Sequence, residues 1–452
     1  MSEKIGSRKN TGEKILVLGS GAREHAITAA LARSPQQPRL FSAGPARNPG
    51  IVGLCEEFFA AKVTDAAKIA AYARVQGITL AVPGPEAPLA AGVVDALEAE
   101  GIACVGPRQA LARIESSKGF ARDLLAKYGI AGNPRFRRFT SRDGVAEMLD
   151  ALGEQVVVKE DGLASGKGVK VYGDHLHSRA ECEQVCDELA LAGHPFVIEE
   201  KLEGEEFSLL SFTDGTTLRH MPAVQDHKRA FVGDNGPNTG GMGTYTDANG
   251  SLPFLSPEDI LAAQRTNEAV IEALEKECGA PYRGVLYGGF MAVREGVRVV
   301  EYNSRFGDPE CLNLLTLLES DLVAVFRAIA TGTLREVPVE FRREASVCKY
   351  IVPEGYPQAP RAGDRVEKPA VPAGITLYDG AVEARDGGVF STGSRAVGVV
   401  STAASLAAAE QACERVAQQF TGPFFHREDV GTAELIGRRV EHMQRLRGVA
   451  NA

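Results

Sequence analysis

The sequence predicts a multidomain chain of α/β and α+β parts: an N-terminal open parallel α/β sheet, a central core with a mobile β-hairpin lid, and a small C-terminal α+β domain. Three observations predict it. KILVL, RLFSAG, TLAVPG and ACVGP are short apolar runs alternating with helical stretches, the pattern of parallel strands buried on both faces. Midway, VVVKEDGLASGKGVKVYG sets two β-rich runs around a Gly/Ser/Lys turn. After ATGTLREVPVEF, short strands broken by Gly and Pro precede a helix expected at 402–420. The expected boundaries are 14–116, 117–335 with the lid at about 135–196, and 340–447.

A length of 452 residues suits about three domains. With 44% apolar and 24% charged residues, the composition disfavours bulk disorder and fibrous repeats. Acids outnumber bases 59 to 50, so broad adhesion to nucleic acid or anionic lipid is not expected. Partners should be small molecules, with anions held by a local site. The most apolar stretch, 78–97, carries Glu86, Asp95 and three prolines, which a membrane helix would not tolerate. The polar N-terminus has no apolar leader core, so a cytoplasmic protein is expected. Eight cysteines without a CxxC pair read as reduced thiols packed as small hydrophobes.

Taken in order, residues 14–34 read as strand, glycine turn and helix. In such a series the ligand crevice lies beyond the strands' carboxyl ends, where Gly19–Gly21, Gly84–Glu86 and Gly106–Pro107 fall. The GSGARE turn has Glu24 at the third glycine of a dinucleotide fingerprint, and no acid ends the second strand, which disfavours NAD. It reads either as a structural turn or as a phosphate seat at a helix N-terminus. Next, SKGFARDLLAKYG is a helix. The hairpin after it carries Lys159 and Lys167 among glycines that let backbone N–H groups approach phosphate, against the bland reading of a solvated turn. VIEEKL ends a strand with backbone groups at Glu200 and Leu202 placed to read an adenine edge, and Glu206 to accept from ribose hydroxyls, unless these acids simply face solvent. QDHKRAFVGDNGPNTGGMG is a loop long enough to be functional. A helix near 256–278 and the strands FMAVREGVRVVEYN follow. In EYNSRFGDPE the two-residue period puts Glu301, Asn303 and Arg305 on one face, two hard oxygen ligands suited to Mg²⁺ and one guanidinium. No HxxxH, HExxH or Cys/His cluster competes, and His25 and His227 read as structural.

In order, GSGAREHA, VPGPEAPL, KEDGLASGKGV, IEEKLEGEE, QDHKR, GPNTGGMG and EYNSRFGDPE resemble the phosphoribosylamine–glycine ligase (glycinamide ribonucleotide synthetase) family of the ATP-grasp superfamily, over roughly 14–440. The resemblance implies an ATP-grasp domain at 117–335, and joining of glycine to 5-phosphoribosylamine through glycyl phosphate, with ATP split to ADP and phosphate, in de novo purine synthesis. ATP and Mg²⁺ or Mn²⁺ are implied as cofactors. It also implies that Lys118 and Lys159 contact ATP phosphates, and that a lid containing Gly166, Lys167 and Gly168 covers them. Glu199, Glu200, Leu202 and Glu206 are implied around adenosine, Glu301 and Asn303 at the metal, Arg305 at the acyl phosphate, and Asp226 with Lys228 on the substrate-side loop. By the same analogy Glu86 meets ribose hydroxyls, while Gly393, Ser394 and Arg395 join Gly19 and Gly21 around the ribose 5-phosphate. The chain departs from many members at GAREH, AGPARNPG and DPECLN, and Gly289 stands where some carry a Gln metal ligand, implying water there. The alternative is another ATP-grasp carboxylate–amine ligase for a different amino acid or phosphosugar amine. A monomer or weak homodimer is expected.

Overall fold

The computed structural model describes residues 12–163 and 168–448. Its first sheet is wholly parallel, in the order Glu57–Ala60, Arg39–Gly44, Lys14–Leu18, Leu80–Pro83, Ala103–Cys104. Ile15 and Val17 pack into one core while Leu16 and Leu18 pack into another, so both faces are covered, as the unbroken apolar run requires. Because Lys14–Leu18 lies between its two neighbours in the winding, the crevice opens where Gly19–Gly21 and Gly84 leave their strands.

The helix Lys118–Lys127 starts at Ser117, whose hydroxyl accepts the Phe120 N–H at 3.0 Å. The segment expected to form the lid is an antiparallel sheet ordered Phe136–Phe139, Phe196–Glu200, Val156–Glu160, Val169–Val171, sealed by the helices Val145–Leu152 and Arg179–Leu191 over Phe139, Val158 and Ile198. A second antiparallel sheet runs Leu218–His220, Glu205–Thr213, Gly284–Val293, Gly296–Asn303, backed by the helix Pro257–Cys278.

Two expectations are corrected. The segment 225–243 is not bare loop: it holds Gln225–Asp226 and a hairpin of Arg229–Phe231 with Asn235–Asn238, and then enters the strand Gly243–Thr246. Its glycines and asparagines supply the turns between short strands rather than one open loop. The last strand pairs with Ala345–Pro353, so the C-terminal strands share one sheet with residues of the central segment. Gly243 makes that pairing possible, since a Cβ there would lie 2.2 Å from the Cys348 carbonyl oxygen. The helix expected at 402–420 spans Leu406–Ala417; Val397–Ala403 is a strand, favoured by its β-branched residues, and Ser405 caps the helix.

All eight cysteines are unpaired. Among the described residues no helix is long and apolar enough to cross a membrane.

Candidate active site

The register Ser208↔Gly289↔Glu301 aligns three residues across the second sheet, and Tyr287↔Asn303 forms the next row. Asp226 and Lys228 come over this face from the neighbouring segment, closing a small cavity with Glu206, Tyr287, Gly289 and Glu301. Burial alone would raise the Glu301 pKa, yet Lys228, Lys159, Lys118 and Arg305 hold the carboxyl below its ordinary value. Glu301 has no hydrogen bond or ion pair among the described residues, so its oxygens are free for a hard cation. Gly289 supplies no donor. A Cβ there would already stand 3.3 Å from the Glu301 Cγ.

Lys159, near the end of its strand, reaches Glu199 and the Val300 carbonyl (3.1 Å). Glu199 in turn takes two bonds from Arg122, at 2.8 and 3.1 Å. Burial draws the Lys159 pKa down, with Glu199 opposing. Lys118 Nζ donates to the Gly162 carbonyl at 2.8 Å, and Asp161 accepts from Gly119 N–H (3.2 Å) and Ser117 Oγ (3.0 Å). The segment at Asp161–Gly162 is therefore tied to a helix N-terminus. Gly168 bonds back to Glu160 at 2.9 Å, while Gly166 and Lys167 lie outside the described residues.

The residues expected around adenosine are engaged in different ways. Glu199 turns inward to the buried triad, because a carboxylate between Arg122 and Lys159 is better compensated there than at a rim. The Glu200 N–H is taken by the Arg135 carbonyl at 2.9 Å, and its carboxylate by Arg135 N–H and Arg298. Leu202 N–H has no partner among the described residues. Glu206 is paired with Lys228 at 2.8 Å; burial opposes charge on Lys228, but Glu206 and Glu301 raise its pKa well above the ordinary lysine value.

Burial and the nearby Glu310 carboxylate push the Asp226 pKa well up, and among the described residues its Oδ1 accepts only the His227 N–H, at 2.7 Å. Glu310 is held by Tyr287 OH (2.9 Å) and Ser208 Oγ (3.3 Å). Half-buried Asp226 and buried Glu310 thus lie close together with no ion pair to either among the described residues, an arrangement that suits an ammonium group. Gly241, at φ +111°, crowds this corner: a Cβ would lie 2.5 Å from Asp226 Oδ1. His227 bonds the Gly243 carbonyl at 3.1 Å and is kept neutral, its pKa drawn down to about 3 by burial and Arg427.

Arg305 lies past the end of its strand at Asn303, so strand alternation does not place it. Its guanidinium folds back to Asn303 Oδ1 and the Phe306 carbonyl (both 3.1 Å), to Glu115 (2.8 Å) and to Glu86 (3.4 Å). Glu86 thereby joins the cluster at the strand ends.

A second cleft of about 270 Å³ lies between Ser20–Ala22, Asp308, Tyr350, Gly380–Val382 and the turn Thr392–Arg395. Arg395 stacks on Tyr350 (4.5 Å) and donates to the carbonyls of Gly240 (2.6 Å), Gly241 (3.1 Å) and Asp308 (2.9 Å). The first glycine turn is not an open anion seat: Gly21 N–H donates to Glu24 Oε2 at 2.6 Å, so the chain's own carboxylate occupies that position. Sequence reasoning missed Glu24 in this role, as it missed Arg122, Glu115, Glu310 and Tyr350. Only Glu24 had a local signal, the three-residue offset of a capping box.

Family models match along most of the chain: the phosphoribosylglycinamide synthetase N domain at 13–115, its ATP-grasp (A) domain at 116–311 and its C domain at 346–433. Phosphoribosylamine–glycine ligases of Methanosarcina barkeri and Methanosarcina acetivorans are 45% and 46% identical over 435 residues, covering 96% of this chain and 100% and 98% of those proteins. The crystal structure of the Thermotoga maritima phosphoribosylamine–glycine ligase superposes with a TM-score of 0.77 at 27% identity, over 92% of this chain and 99% of that one. Biotin carboxylase of Campylobacter jejuni shares the fold at 13% identity, with a TM-score of 0.72 over 96% and 99%.

Proposed function

The chain belongs to the phosphoribosylglycinamide synthetase family, an ATP-grasp carbon–nitrogen ligase joining glycine to phosphoribosylamine in purine biosynthesis, and from that premise we propose how its residues do so. The observation that carries the reading is the half-buried Glu301 carboxylate, without an ion pair among the described residues, facing Lys118, Lys159, Lys228 and Arg305. That is a pocket built for many phosphate oxygens around one cation.

ATP lies with its phosphates against Lys118, Lys159 and the root of the lid at Gly168, and its adenine against Leu202 N–H. Glu206 turns from Lys228 to the ribose. Glu301 and Asn303 offer only oxygen donors, and no trio of His, Cys, Asp or Glu among the described residues could hold a metal alone, which fits Mg²⁺ or Mn²⁺ shared with the nucleotide. Bound there, the ion supplies charge neutralisation at the phosphoryl oxygens. Asp226 and Glu310 receive the glycine ammonium, leaving its carboxylate toward the γ-phosphate. A carboxylate oxygen attacks the γ-phosphorus and ADP departs, with Arg305 and the lysines holding the charge that moves onto phosphate oxygens. The phosphoribosylamine nitrogen then attacks the carbonyl carbon of glycyl phosphate, expelling phosphate and losing a proton as the amide forms. Its phosphoribosyl group lies in the second cleft, the 5-phosphate by Gly393, Ser394 and Arg395 and the hydroxyls by Glu86. The first glycine turn shapes the wall through Gly19 and Gly21. Lid closure excludes water that would hydrolyse the acyl phosphate. The unpaired cysteines suit a reducing cytoplasm, and because every named group comes from one chain, a monomer or weak homodimer suffices.

The test is ADP release with MgATP, glycine and freshly generated phosphoribosylamine, each omitted in turn, and with alanine replacing glycine. Turnover requiring both substrates and failing with alanine is expected. Bicarbonate-dependent release, or turnover with another amino acid in preference, would assign the site to a different carboxylate.

A further inference from the structure

We propose that Glu115 is a positioning residue for phosphoryl transfer, setting the guanidinium plane of Arg305 and locking the turn that joins it to Asn303. The proposal rests on the reading of Arg305 above. Glu115 sits in the last turn of the helix Gln109–Ser116, immediately before the Ser117 cap that presents Lys118. Its side chain is 6% exposed, and both oxygens are used: Oε1 lies 2.8 Å from Arg305 Nη2, while Oε2 accepts from Ser304 N–H (2.7 Å) and Ser304 Oγ (2.9 Å). One carboxylate therefore ties the helix that leads into the Ser117 cap, the end of the strand bearing Glu301 and Asn303, and Arg305 into one corner. Glu86 lies 3.4 Å from Arg305 Nε, a second carboxylate pulling the same guanidinium elsewhere. Without Glu115, Arg305 is left to Glu86, Asn303 and the Phe306 carbonyl, and its free N–H groups no longer point in a single direction.

The step it serves tolerates little misplacement, since errors near 1 Å cost on the order of a hundredfold in rate. Glu115→Gln should lower kcat at least tenfold while KM for ATP stays within about twofold, and should raise ADP formed per ligation product above one as poorly held acyl phosphate meets water. Glu115→Asp, which keeps the charge, should recover part of kcat and restore coupling. If Glu115→Gln does not fold, Glu115→Asp is scored alone and must show the same kcat-selective loss in milder form. Arg305→Lys separates the two readings. Unchanged kcat in Arg305→Lys would remove the Arg305 role itself; an impaired Arg305→Lys beside a normal Glu115→Gln would overturn only Glu115. Adding Glu115→Gln to Arg305→Lys should cost less than the two separate losses combined, because the Arg305 contact is shared while only the Ser304 bonds are lost in addition. Additive losses, or losses in kcat, KM and thermal stability in parallel, would show a structural role and contradict the proposal.

Discussion

Replacing Lys159 with Met separates the binding duty of a buried lysine from its packing. Lys159 Nζ is held by Glu199 and the Val300 carbonyl, and Glu199 keeps both Arg122 bonds, at 2.8 and 3.1 Å, when the lysine is gone. No uncompensated buried charge results. The stability loss is that of one charge-assisted bond and one bond to a carbonyl, about 2–4 kcal/mol, partly offset by the buried thioether. A charge-assisted bond from the same ammonium to a phosphate oxygen contributes about 1.5–3 kcal/mol, roughly a ten- to hundredfold effect on nucleotide affinity. Titration calorimetry with MgATP and with adenosine, beside a thermal melt, reads both quantities. MgATP should weaken by that factor, with adenosine nearly unaffected and a melt lowered by only a few degrees. Equal weakening of adenosine and MgATP, or unchanged MgATP affinity in a badly destabilised protein, would refute the assignment.

Further outcomes follow from the same geometry. Arg305→Ala should lower kcat by about a hundredfold or more, as loss of an oxyanion donor does, and rapid-quench measurement of ADP formation should locate the loss in the chemical step. Glu301→Gln should weaken Mn²⁺ binding in the presence of ADP, seen as more free Mn²⁺ by electron paramagnetic resonance; unchanged Mn²⁺ binding would remove Glu301 from the metal. Asp226→Asn should abolish glycine-dependent turnover yet raise the melting temperature at pH 8. Burial and Glu310 raise this carboxyl's folded pKa above its unfolded value, so the charged form is disfavoured in the native protein. The wild type therefore loses stability relative to the variant as pH rises through the raised pKa, and the difference vanishes at pH low enough to protonate both states; a variant less stable at pH 8 would contradict this. Arg395→Met should raise KM for the phosphoribosyl substrate more than KM for ATP, because its contacts lie around the second cleft, and equal changes in both would argue against that placement.

Where strand or helix periodicity decided the structure, the sequence was legible. The apolar run Ile15–Leu18, buried on both faces, and the alternation that lines up Glu301 with Asn303 were readable because each is a local pattern with one geometric solution. The hairpin in 229–238 was not, since its strands of three and four residues are too short for a period to register. Long-range charge compensation was also invisible. Glu199 reads as an edge acid until Arg122, 77 positions earlier, is seen beside it, and Glu115 and Ser304 meet across 189 positions. The first glycine turn misled because Glu24, at the third-glycine position of the fingerprint, is the residue whose carboxylate takes the Gly21 N–H. Residues such as Arg305, just beyond a strand end, take their direction from tertiary partners rather than from the strand.

The central claim, that the glycine carboxylate is activated as an acyl phosphate among Glu301, the three lysines and Arg305, is tested most directly by isotope transfer. Glycine labelled with ¹⁸O in its carboxylate is turned over with MgATP and phosphoribosylamine, and the released phosphate is analysed by mass spectrometry. One ¹⁸O per phosphate is predicted, because the attacking carboxylate oxygen leaves with phosphorus when the amine displaces it. Phosphate carrying no label from glycine would contradict the account.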